Sequence, residues 1–199
     1  MRGSPSTQSA AVRWNSLASG HHLRMLLISL LVGVLAGLLA AHLKLHLRMP
    51  GHLALLWMTP IVAGRLLTRH PVGGSAGACA AAFTSLAFGG RLAGGPAWLP
   101  LVGVAGVVID LAAAFIANHH LKIWLAVPIM GLAGVGGNLV CAIKRLLAAQ
   151  YHSHLLLGLS GPAASIVSYA IFGLLAGVTG AILAALARGA WRGLERDRS

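Results

Sequence analysis

Three histidines and one aspartate open the question of chemistry in this chain. His42 and His46 stand four residues apart, so on a helix their rings share one face, a spacing compatible with a metal ion. His52 follows a Pro-Gly break six residues later, in "MPGHLALLWMTPIVAGRLLTRHP". No carboxylate or thiolate accompanies them, so these rings read either as weak metal candidates or as interfacial histidines. Asp110, in "GVVIDLAAAF", is the single acidic residue within a long apolar run. At membrane depth a carboxylate costs at least about 2.5 kcal/mol, so it has to face the bundle and find a ligand, a proton or a basic partner. Asn138, Ser165, Ser168 and Tyr169 lie in later apolar runs, as interhelical hydrogen-bonding groups or as the lining of a ligand pocket.

The elements that would position these groups are transmembrane helices. Of the 199 residues, 57% are hydrophobic and 9% charged, and the mean hydropathy is +0.82. Soluble domains carry roughly 25% charged residues. The composition therefore predicts an all-α polytopic membrane protein with about six helices in one bundle: 25–41, 53–67, 73–88, 97–117, 123–141 and 162–187. Ser160-Gly161-Pro162 separates an interfacial "HLLLGLS" segment from the sixth span. Residues 1–22 read as a polar basic tail without a signal-peptide cleavage site, 23–187 as the membrane domain, and 188–199 as a charged tail. A polar connector, "HLKLHLRMPGH", joins the first two spans.

A net charge of +12 in a soluble chain would point to nucleic acid. Here the cations sit between apolar runs, so they read as topology signals with an anionic lipid surface as partner, and no nucleic-acid partner is expected. With the N-terminus inside, Arg2, Arg13, Arg24, Arg65, Arg69, Lys122, Arg188, Arg192, Arg196 and Arg198 are cytoplasmic. Lys44, Arg48, Arg91, Lys144 and Arg145 fall outside. That bias predicts both termini in the cytoplasm. Cys79 and Cys141 have no metal or disulfide spacing. Enzyme signatures such as H-E-x-x-H, G-x-S-x-G and a P-loop are missing, so neither catalysis nor a cofactor is expected.

Small residues form a packing signal. Gly33 and Gly37, and Ala36 and Ala40, are each four apart in the first span, and Gly173 and Gly177 repeat the pattern in the sixth. Such faces let helix backbones approach closely in lipid.

The run quoted above, with "GVAGVVIDLAAAF" and "AVPIMGLAGVGGN", resembles the substrate-binding S component of energy-coupling factor (ECF) transporters over roughly residues 25–187. The resemblance implies a six-helix bundle in the cytoplasmic (inner) membrane of a prokaryote. It would capture a small, vitamin-like molecule near its outer face, under a lid formed by the first connector. It assigns His46, His52, Trp57 and Asn138 to lid or pocket. It also assigns Gly33, Ala36, Gly37 and Ala40 to an interface with a membrane-embedded coupling subunit that carries two ATPases. The Met-His start of the metal-ion members does not match "MRGS" here, which weighs against a metal cargo. Two other readings compete: a non-catalytic assembly or anchor subunit of a larger complex, and a metal-ion permease using His42, His46 and His52.

Overall fold

The computed structural model describes residues 20–43, 49–90, 92, 95–147 and 160–196, with side chains described to residue 190. Every regular element among them is helical: α1 Gly20–His42, α2 Ala54–Thr68, α3 Gly73–Ala87, a 3-10 turn Pro96–Trp98 leading into α4 Leu99–Asn118, α5 Ile123–Leu147 and α6 Gly161–Arg196. All six expected helices form. Four regions, 20–42, 96–118, 123–147 and 161–190, are long and apolar enough to cross a membrane. α2 and α3 have 15 residues each, or about 22 Å at the helical rise, less than a hydrocarbon core of about 30 Å.

Several ends run beyond their sequence-based limits. α1 begins at Gly20, inside the expected tail, and α5 continues past Cys141 to Leu147. α6 continues past residue 187 to Arg196, because "LARGAWRGLER" contains no proline and several strong helix formers. At its start Gly161 adopts φ +63°, a conformation that glycine alone takes without strain, and Pro162 occupies the first turn. The expected break therefore stands where Ser160-Gly161-Pro162 put it. The "HLLLGLS" segment before it, apart from Ser160, lies outside the described residues, as do Lys44, His46 and Arg48 of the first connector.

α2 is the hub. It touches each of the other five helices and buries residues on every side, with Trp57, Met58, Ile61, Val62, Arg65 and Leu66 all shielded. A helix apolar all round belongs in the middle of a bundle, which is where the opening proline-glycine run places it. The outer surface is apolar as well. Leu23, Leu27, Leu31, Leu35 and Leu39 form an exposed stripe along α1, while Ser29, Arg65, Thr68, Ser85, Asp110, Asn138 and Ser168 are buried. Polar groups inside and leucines outside are what a lipid-facing surface requires.

The tightest backbone contacts join two helix pairs. A Cβ placed on Gly33 would meet the Gly77 carbonyl oxygen at 2.2 Å, and one on Gly37 the Ala81 oxygen at 2.5 Å, so α1 lies directly on α3. In the second pair, a Cβ on Gly134 would meet Gly173 O at 2.1 Å and one on Gly177 would meet Met130 O at 2.1 Å, joining α5 to α6. Gly134→Ala should cost about 1–3 kcal/mol through overpacking, whereas Gly189→Ala meets nothing within 4 Å and should leave stability unchanged or slightly higher. Thermal unfolding of both variants in one detergent checks the contrast; equal losses would refute the contact.

Candidate functional site

The helices alternate in direction, so the bundle has two ends. At one, α1 starts, α2 finishes, α3 starts and α6 finishes. At the other lie the Pro50-Gly51 turn, the α3–α4 connector and the end of α5. Each end holds a cavity, and a buried ion pair stands near the first.

Asp110, on α4, receives Arg65 Nε at 2.6 Å and the backbone N–H of Gly74 at 2.8 Å on Oδ1, and the N–H of Ser75 at 2.8 Å on Oδ2. The residue before α3, Val72, supplies no side-chain cap. A carboxylate from a neighbouring helix therefore satisfies two first-turn donors of α3, at the positive end of its dipole. Glycine makes the approach possible. A Cβ on Gly74 would stand 2.9 Å from Asp110 Oδ1, and one on Gly106 would stand 2.6 Å from Ser75 Cα. Gly106 and Asp110 are one turn apart, so the G-x-x-x-D spacing turns one face of α4 onto the start of α3. Ser29 adds α1, lying 3.3 Å from the Thr68 hydroxyl at the end of α2.

The second end holds a cavity of about 230 Å³. Gly51 and His52 contribute from the turn before α2, Trp57 from its first turn, Leu92 from the connector, Asn138, Cys141, Lys144 and Arg145 from α5, and Tyr169 from α6. Its walls are tied together by side chains reaching backbone oxygens. Asn138 Nδ2 donates to Tyr169 O at 2.7 Å and to Gly51 O at 3.4 Å. Ser168 Oγ donates to Pro50 O at 2.6 Å, and Lys144 Nζ to Leu92 O at 3.1 Å. His52 Nδ1 hydrogen-bonds to the Met49 carbonyl, which selects the Nδ1–H tautomer and leaves Nε2 as an acceptor in the neutral ring. Ring surfaces, an amide and two cations suit a small planar molecule that carries acceptors or a negative charge.

Three of the four substrate-binding candidates, His52, Trp57 and Asn138, thus meet in one cavity; His46 lies outside the described residues. Lys144, Arg145 and Tyr169 line the same cavity. Lys144 and Arg145 read as topology markers in the sequence, although Arg145 stands two turns on from Asn138 and Lys144 one turn on from Cys141. His42 does not join them: its ring packs on Phe88 at 5.9 Å, while that of His52 packs near Phe172 at 6.4 Å. Among the described residues no three potential ligands are grouped to hold a metal ion.

The small-residue face of α1 turns inward. Gly33, Ala36, Gly37 and Ala40 are buried within the bundle, Ala36 fully and the glycines against α3. That face packs against α3 within the chain. In α1 the exposed residues are instead the leucines of the opposite side.

Two predictions follow from the charged end. Removing one partner of a buried ion pair costs about 3–5 kcal/mol, so Asp110→Ala should destabilise more than Arg65→Met, because it also strands two N–H groups. The double variant should lose clearly less than the two losses summed; an additive double-mutant cycle would refute the coupling. His70, in the turn between α2 and α3, is buried with Nδ1 unpartnered. Burial first, then the nearby His22 and Arg65, lowers its pKa below the ordinary 6.5, against an upward pull from Asp110. The folded state thus binds fewer protons than the unfolded state, and stability falls as pH drops through that ordinary value until the folded pKa is reached. The unfolding midpoint should decline as pH falls through the ordinary histidine value, with a shallower slope in His70→Met. An unchanged slope would assign the effect to other groups.

No family model, curated protein or solved structure matches the chain.

Proposed function

We propose that the protein is the substrate-binding subunit of an ECF-type importer. In this reading it is a non-enzymatic membrane protein of a prokaryotic inner membrane, with six spans and both termini cytoplasmic. It captures a small vitamin-like molecule at the Pro50-Gly51 end and passes it to a coupling subunit that carries two ATPases. The observation that carries the reading is the convergence of His52 and Trp57, from one stretch of sequence, and Asn138, from a distant one, on one cavity with Lys144, Arg145 and Tyr169. The cations select for acceptors or negative charge, and the rings for a flat body. The cavity's modest volume favours a compact ring over a large cofactor. In this reading the short helices α2, inside the bundle, and α3, packed against α1 and α4, are both counted as spans.

The test is native mass spectrometry of protein extracted from its own membranes in mild detergent, followed by release and identification of small molecules. A heterocycle should be retained by the wild type. Lys144→Gln should weaken its binding about tenfold, the loss of one charge-assisted hydrogen bond. Recovery of the wild type with other membrane subunits, no ATPase and no small molecule would overturn the proposal in favour of an assembly subunit.

A further inference from the structure

The Asp110 end of the bundle also brings histidines from two elements together. Its cavity, about 530 Å³, takes residues from α2, α4, α5 and α6, and no described residue of α1 lines it. α1 is fastened instead to the turn between α2 and α3. There the His22 ring meets the His70 ring at 6.1 Å between centroids and 69° between planes, an edge-to-face contact, and His21 lies 6.1 Å from His22 at 86°. His70 is 8% exposed, and its Nδ1 is buried without a hydrogen-bond partner. The groups that face it are His22 from α1, Arg65 from α2 and Asp110 from α4. α3 opens with Gly73, Gly74 and Ser75 and brings no ionisable side chain. Asp110 already accepts three hydrogen bonds at 2.6–2.8 Å and acts on His70 through its charge alone. A neutral ring suits this place. A proton would set a cation between Arg65 and His22 and create a buried donor with no acceptor, a costly state unless water enters.

We infer that the His22–His70 contact is a pH-operated latch, which fastens the first turn of α1 to the α2–α3 turn while the rings are neutral and releases it when they are protonated. The α2–α3 turn is the stiffer partner. Gly73 N–H donates to His70 O at 3.0 Å, Arg69 N–H donates to Arg65 O at 3.1 Å, and Pro71 follows. The first turn of α1 is the weaker one. Its leading N–H groups have no acceptor within the helix, it carries no acidic residue, and charge on His21 or His22 would oppose the positive end of the dipole. Deeper in α1 the Ser29–Thr68 contact at 3.3 Å and the Gly33–Gly77 approach do not titrate, so release stops there. Burial lowers the pKa of the latched His70 ring, whereas a released, hydrated ring returns to the ordinary 6.5. Acid therefore favours release, starting as pH falls through 6.5 and levelling off at the lower pKa of the latched state. The latch lies at the opposite end of the molecule from the proposed cargo cavity and does not rest on that reading.

The experiment is hydrogen–deuterium exchange of the full chain in mild detergent, read by mass spectrometry on both sides of the ordinary histidine value and corrected for the pH dependence of chemical exchange. Peptides over residues 20–28 report the latch, and peptides over 33–40 report the packed part of α1. In the wild type, protection over 20–28 should fall by up to about tenfold per pH unit and per proton below that value, while 33–40 stays protected. His70→Phe keeps a ring at the contact and removes the proton, so it should flatten the response, and His22→Phe should lessen it. His42→Gln, at the far end of α1, should respond as the wild type does. Protection over 20–28 that is the same at every pH would overturn the latch, as would an undiminished response in His70→Phe. So would a loss that spreads equally over 33–40, which would mark general unfolding in its place.

Discussion

One carboxylate organises an entire end of this bundle. Asp110 gathers a guanidinium from α2 and two backbone donors from α3 while itself standing on α4. In a lipid environment there is no water to take over any of these bonds, so losing one partner leaves the others exposed to the full desolvation cost. The same group solves three problems at once. It neutralises a buried arginine, satisfies the start of a helix that has no cap of its own, and sets the distance between three helices. Gly74 and Gly106 are consequences of that arrangement, since a methyl group at either would push the carboxylate or the α3 backbone away.

With one end fixed, the rest of the packing follows from where side chains are omitted. Backbone contact at Gly33–Gly77 pins α1 to α3, and contact at Gly134–Gly173 pins α5 to α6. The two tight pairs then close around α2, whose Trp57, Met58, Ile61 and Val62 fill the space between them. The cavities open at the two ends of α2, beyond this filled middle. α2 carries His52 and Trp57 to one and Arg65 and Arg69 to the other.

Much of this was legible in the residues. Hydropathy and helix breakers located six helices, and the Ser160-Gly161-Pro162 break lies where α6 begins. An acidic side chain in an apolar run required a partner, and a basic residue near the same end was among the alternatives. What the sequence withheld was which arginine. Arg65 and Arg69 both end α2, and only the rotation of that helix against α4 brings Arg65 to Asp110 and sends Arg69 to the cavity. The role of Gly33 and Gly37 was obscured for a related reason. A small-residue face states that a close neighbour exists but not whether the neighbour belongs to the same chain. Lys144 and Arg145 read as end-of-helix charges because α5 was expected to stop at Cys141. Its extra turns carry them over the Pro50-Gly51 turn.

The unequal strengths of the two ends determine where the bundle can open. Around Asp110, separating α2 from α4 breaks a buried ion pair, at about 3–5 kcal/mol. At the Pro50-Gly51 turn, the ties from Asn138 and Ser168 are neutral hydrogen bonds to backbone oxygens, each worth about 0.6 kcal/mol on average between membrane helices. A molecule entering the smaller cavity therefore has an inexpensive route if that turn lifts from α5 and α6. A route that slides α2 along its axis is costly, because it drags Arg65 off Asp110. Binding at the turn end would accordingly leave the Asp110 node intact, and the arginine-lined cavity beside it would keep its shape while the other cavity fills.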